Sequence, residues 1–273
     1  YITVLGDLAK LQERWNISVD YYLKAYDINP QNVKVLENAL QVCLGAELFK
    51  KAESTCYSLA VIDPNNVSYW NTYKQITAYN KNYEKTLSAI LEIERIQGSS
   101  SKLLMEKSAI KQEQNNNEEA TKYLLQAYDI DDSNIEVIKR LVSIYMENEN
   151  FNDAEFYNEI LLKEFSNDPS GFINASIISL NNSSPLKAID YLQPNIEKFD
   201  DNYLAHYLLG TSYYQIDDLV NSENHFIKAL SIFPGSRNSK HTLAMIYDQN
   251  GSWVKSDSLY LELITTDTTD AQA

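Results

Sequence analysis

The sequence predicts an all-α chain of helical hairpins stacked one on the next, and three observations carry that prediction. Small, aromatic and proline residues recur every 34 residues along the 273 positions, and a fixed period between 20 and 50 residues is the mark of a repeat architecture. Only seven Gly and six Pro are present, few for a sheet-rich or loop-rich chain. Within each period the larger apolar residues keep helical spacing in two runs, separated by turn formers such as Asn, Asp and Gly.

Tyr203 to Ser236 sets the ruler. With Tyr203 as position 1, Leu209, Gly210 and Tyr213 stand at positions 7, 8 and 11, Phe226 and Ala229 at 24 and 27, and Pro234 at 32. Small residues at 8, 20 and 27 let two antiparallel helices approach closely, while larger ones at 4, 7, 11 and 24 fill the space between neighbouring hairpins. This pattern resembles the tetratricopeptide repeat, TPR. The resemblance implies a right-handed superhelical α-solenoid with a concave groove lined by the first helix of each hairpin, and a protein or peptide as partner.

The ruler fits the chain without insertion and predicts a single array over residues 1–270, divided as 1–32, 33–66, 67–100, 101–134, 135–168, 169–202, 203–236 and 237–270, with 271–273 as tail. Repeat 1 carries Leu5, Gly6, Tyr22, Ala25 and Pro30 in register; repeat 2 carries Ala39, Ala52, Leu59 and Pro64. Repeat 3 has Trp70 and Tyr73 but puts Lys74 at position 8. Repeat 4 is clear only in its second helix (Ala120, Leu124, Ala127); Lys107 and Lys111 occupy positions that should be buried, so its first helix is expected to be shifted or loosely packed. Repeats 5, 6 and 8 keep Leu141, Tyr145 and Ala154, then Phe172, Ala175 and Ala188, then Leu243, Ala244 and Tyr247. Pro194 falls mid-helix and predicts a kink. The short polar stretch from Thr265 leaves repeat 8 without a cap, so a cap beyond the fragment, a partner or a second copy is expected to cover it.

Composition narrows the function. A net charge of −15 disfavours nucleic acid and anionic membrane surfaces, which need clustered Lys and Arg. No run of 18 apolar residues spans a bilayer. His206, His225 and His241 have no His or Cys partner at helical metal spacing, and the acidic pairs such as Asp217–Asp218 sit at hairpin junctions, where they read as caps rather than as catalytic dyads or calcium ligands. No phosphate loop or nucleophile elbow is present. No cofactor, metal or catalytic residue is therefore expected, and the chain reads as no enzyme. Cys43 and Cys56 lie at buried positions 11 and 24; free thiols are the commoner state there, whereas a disulfide would imply an oxidising compartment. The Asn, Lys, Ile and Tyr content suits an A/T-rich bacterial gene and leaves cytoplasm and periplasm open.

Tyr22, Tyr83, Tyr145, Tyr213, Tyr247 and Tyr260 are assigned to the core by their positions. The partner is read from positions 2, 5, 6, 9 and 12 of each first helix, which line the groove in TPR proteins. Repeats 2 to 5 place a polar wall there, including Lys34, Asn71 and Arg140, but repeats 6 to 8 offer Ile173, Asn174, Ile177, Leu204, Tyr207, Thr211, Tyr214, His241 and Met245. An apolar and aromatic patch with a few donors predicts a peptide-binding groove. The chain is thus expected to be a non-catalytic scaffold for a protein or peptide. The alternatives are the regulatory or targeting arm of a larger enzyme or receptor, and a self-assembling array that associates through the uncapped repeat 8.

Overall fold

The computed structural model describes residues 1–270, with side chains described through Thr265; the tail assigned to 271–273 lies outside the described residues. The described residues form sixteen α-helices and one 3-10 segment, Gln193–Phe199. The first four are α1 (Ile2–Leu11), α2 (Trp15–Ile28), α3 (Lys34–Gly45) and α4 (Phe49–Ile62). They are followed by α5 (Val67–Tyr79), α6 (Tyr83–Gln97), α7 (Ser101–Glu113) and α8 (Asn117–Ile130). The second half begins with α9 (Ile135–Glu147), α10 (Phe151–Glu164), α11 (Pro169–Asn181) and α12 (Pro185–Leu192). It closes with α13 (Tyr203–Gln215), α14 (Leu219–Ile232), α15 (Arg237–Gln249) and α16 (Trp253–Asp270).

The helices divide into two compact units, Tyr1–Asp131 and Asp132 onward. In both, consecutive helices pair as hairpins and the second helix of one hairpin packs on the first helix of the next: α2 on α3, α4 on α5 and α6 on α7 in the first unit, α10 on α11, α12 on α13 and α14 on α15 in the second. One core cluster runs from Val19 to Leu103 in the first unit. In the second, Ile173, Leu192, Phe199 and Leu209 form one cluster, and Phe226, Leu243, Ile246 and Tyr247 another.

The turn inside each hairpin is the same turn each time. Position 15 of the ruler has positive φ at Glu13, Glu47, Lys81, Asn115, Glu149, Ser183, Asp217 and Gly251. The next amide bonds back five residues, from Arg14 N to Ala9 O (2.9 Å), Leu48 to Cys43 (2.8 Å), Asn82 to Thr77 (2.8 Å) and so on to Ser252 and Tyr247 (2.8 Å). This is a Schellman closure, whose left-handed residue is ordinarily glycine. The residue that closes the first helix also opens the second: Asn82, Asn116, Asn150 and Asp218 cap it by accepting a backbone N–H on the side chain. A second series, Asn66, Ser100, Asn134, Asp168, Asn202 and Ser236, caps the first helices in the same way. Asn66, Asn82, Asn116, Asn134, Asn150 and Asn202 are thus helix caps, a structural use for part of the high Asn content.

A left-handed side chain is strained by roughly 1–2 kcal/mol, against which Gly gives back part through its unfolded-state entropy. Combining Glu13→Gly, Glu47→Gly and Glu149→Gly, all exposed, is expected to raise the unfolding free energy by about 1 kcal/mol in total. Urea denaturation of the triple variant measures it; a loss of stability would show that the glutamates do something else at the turn.

Two expectations are corrected here. The first helix of the fourth hairpin is not shifted: α7 starts at Ser101, the same ruler position at which α5, α9, α11, α13 and α15 start. Lys107 stays buried because Glu94 of α6 meets its ammonium group and the Tyr123 ring lies 5.4 Å away, and Lys111 pairs with Glu119. At Pro194 the helix does not bend; it ends at Leu192 and tightens into the 3-10 segment, since the proline has no N–H to donate. Phe199 at its end is buried against Phe172, ring centroids 5.7 Å apart.

Candidate functional site

The first helices of the second unit lie side by side. α9 touches α11 and α11 touches α13; Gln249 Nε2 of α15 donates to Tyr214 of α13 at 3.2 Å, and the Tyr203 hydroxyl meets Ser236 Oγ at 2.7 Å. Two of them differ in chemistry from the other described helices. Neither α11 nor α13, 13 residues each, contains an Asp, Glu, Lys or Arg, although such residues are 22% of the sequence.

The nine residues read as groove-lining divide by burial. Leu204 and His241 are exposed; Asn174, Ile177, Tyr207, Thr211, Tyr214 and Met245 are half-buried; Ile173 is buried in the cluster around Leu192 and Leu209. Tyr207 packs against both core clusters of this unit and meets the Phe226 ring edge-on at 5.9 Å. Its side chain is therefore part structure and part surface. Of the six tyrosines assigned to the core, Tyr22 and Tyr247 are buried, while Tyr83, Tyr145, Tyr213 and Tyr260 are half-buried. Their rings fill space between hairpins and their hydroxyls reach the edge, as an amphipathic side chain allows.

Spacing along one helix could not show that His206 and His225 meet. They stand at positions 4 and 23, one on each helix of a hairpin, and their Nδ1 atoms are 3.0 Å apart. His206 Nε2 faces the Asp200 backbone carbonyl at 3.1 Å. A carbonyl only accepts, so Nε2 carries the proton, Nδ1 of His206 is an acceptor, and His225 Nδ1 donates to it. Tyr213 stacks on the His225 ring at 5.6 Å and 4°, and Lys228 holds the Asp200 carboxylate at 2.6 Å. Both imidazoles have lowered pKa values, chiefly because burial removes water from the charged form, and His225 falls to about 4 with His206 beside it as the second cause.

In the unfolded chain both groups titrate near the ordinary histidine value of about 6.5. Between that pH and about 4 the unfolded state binds the proton that folded His225 refuses, so stability is whole above about pH 6.5 and is lost as pH falls toward 4. His225→Gln keeps a donor for His206 and does not titrate. We expect the thermal midpoint of the parent to fall by several degrees over that window and the variant to fall clearly less; identical slopes would remove the pair from the acid response.

Among the described residues no three His, Cys, Asp or Glu side chains are grouped to hold a metal, and no helix is long and apolar enough to cross a membrane. Cys43 and Cys56 are free and buried, and burial raises their thiols to about 11 and about 12. They are protonated at neutral pH and poor nucleophiles.

Paired helices, side-by-side first helices and a repeated capped turn define an all-α helical-repeat protein. The fold is that of a tetratricopeptide-repeat array, which solved structures bear out. The chain is similar to the C-terminal part of a TPR repeat-containing protein from Cytophaga hutchinsonii, at 16% identity and a TM-score of 0.67, covering 85% of this chain and 95% of that one. It is also similar to PilF of Pseudomonas aeruginosa, at 12% identity and a TM-score of 0.62, over 76% of this chain and 97% of that one. MamA from Desulfovibrio magneticus RS-1 matches at 16% identity and a TM-score of 0.57, over 62% and 96%. No protein-family model matches the sequence, and no curated protein matches it.

Proposed function

We propose that this chain is a non-catalytic scaffold that binds a segment of another protein along the first-helix face of α11, α13 and α15. The observation that carries it is the absence of acidic and basic residues from the first helices of two successive hairpins, α11 and α13, in a chain with net charge −15. The α11 and α13 part of the face desolvates at low cost and repels neither sign of partner, so the segment it suits is itself mostly uncharged and apolar there, with Asp248 of α15 at one edge. Leu204, His241 and Met245 provide contact, and the Asn174 amide supplies a donor and an acceptor for the partner backbone. The recurrence of helix starts, turns and caps without insertion supports eight repeats working as one array over 1–270, with the boundaries given above.

The test places charge on the face without touching the core. Leu204→Lys with Met245→Lys is used as bait beside the parent chain in lysate, after circular dichroism shows equal helicity. Proteins held by the parent and lost from the variant support the reading, and their retention should change little between low and high salt. If the variant retains the same proteins as the parent, binding lies elsewhere. The tyrosines of α13 suit this purpose less, because Tyr207 is wedged between two core clusters.

A further inference from the structure

A cavity of about 690 Å³ opens on the second-helix face of the first unit, between α4 and α6, with Tyr73 of α5 in its wall. It has no part in the face described above. Small-molecule sites are generally lined by hydrophobic side chains with a few polar groups among them. Here every lining side chain carries a hydrogen-bonding head, and two of the eight, Tyr57 and Tyr73, are aromatic.

The arrangement is rigid where rigidity matters. Tyr57 is 49% exposed, yet its ring is pinned 5.3 Å from Tyr73 and edge-on to Trp70 at 6.4 Å. The Glu53 carboxylate takes Lys85 at 2.5 Å and Asn80 at 2.8 Å, which fixes both an acceptor and an ammonium group in the wall. Ser54 and Ser58 donate their hydroxyl protons to the carbonyls of Lys51 and Ser54, so their oxygens remain as acceptors. Lys50 and Ser88 add donors at the rim and have no partner among the described residues.

We propose that this cavity binds a neutral saccharide, with a sugar ring stacked on Tyr57 and its hydroxyls shared among the Glu53–Lys85 pair and the serines. A pyranose presents a flat C–H face and an edge of groups that both donate and accept, which matches an aromatic plane fringed by donors and acceptors. An inorganic anion fits less well. A carboxylate stands in the wall, and the flanks of helices expose no unpaired backbone N–H groups to cradle it. An apolar ligand would strand the polar heads without partners.

The test is ligand-observed saturation-transfer NMR on the full chain with maltose, cellobiose and N,N′-diacetylchitobiose, and inorganic phosphate as the anion probe. We expect at least one disaccharide to bind with a Kd of roughly a millimolar, and affinity to fall at least tenfold in Tyr57→Ala. Ser88→Leu fills the rim without disturbing the Tyr57 packing and should abolish the signal, so it decides the matter if Tyr57→Ala does not fold. Three results overturn the proposal: no transfer from any disaccharide, transfer that survives Ser88→Leu, or a disaccharide signal that phosphate displaces.

Discussion

Glu94→Ala is expected to lower the unfolding free energy by about 3 kcal/mol, among the largest effects of any single change in the first unit. Its carboxylate is the counter-charge of the Lys107 ammonium group, and the two side chains are 14% and 8% exposed. Truncating Glu94 leaves that ammonium in an apolar setting where the Tyr123 ring, 5.4 Å away, is a weak substitute. Replacing the pair together, Glu94→Leu with Lys107→Met, removes both charges and keeps the volume, and should lie within about 1 kcal/mol of the parent. Urea denaturation of the three proteins is the measurement. A loss under about 1 kcal/mol for Glu94→Ala would mean that Lys107 reaches solvent after all.

Gly210→Val is expected to cost about 3 kcal/mol in the second unit. A Cβ at Gly210 would come within 3.0 Å of the Phe226 ring, and Phe226 is fully buried, with no room to retreat. Positions 8 and 24 of the ruler share one volume. Glycine at 8 faces a large ring at 24 in Gly6 with Tyr22, where the added Cβ would meet the ring at 2.8 Å, and in Gly210 with Phe226. Where 24 is small, 8 is large, as in Leu40 with Cys56 and Val142 with Asn158. Hence Gly210→Leu combined with Phe226→Cys, a copy of the pair in the second hairpin, should recover more than half of the stability that Gly210→Leu loses alone. Equal loss in the single and double variants would show that the backbone approach matters more than the ring.

The hairpins were legible because each buried position is a local matter of size at a fixed spacing. Gly210, Ala229 and Tyr247 can be placed on that basis without knowing anything else in the chain. Lys107 could not, because what tolerates a buried lysine is a carboxylate 13 residues earlier on another helix. His206 and His225 escaped for a related reason: the contact runs across a hairpin, and metal or dyad spacings are searched along one helix. Pro194 was rightly seen as a helix breaker, but whether a chain kinks or tightens depends on what Phe199 can reach, which no local pattern reveals. The proposed face was read from position alone, and position does not separate Leu204, which is exposed, from Ile173, which is buried.

The turn that recurs at Glu13, Glu47, Lys81, Asn115, Glu149, Ser183, Asp217 and Gly251 has the same backbone whatever side chain it carries. Its eight occurrences are therefore interchangeable crossover points. A gene that recombined between any two of them would delete or duplicate whole multiples of 34 residues and rejoin a helix end to a helix start in the original geometry, without a frame of new loop to invent. Such a chain can lengthen or shorten one hairpin at a time, and the junction would leave no scar in the fold.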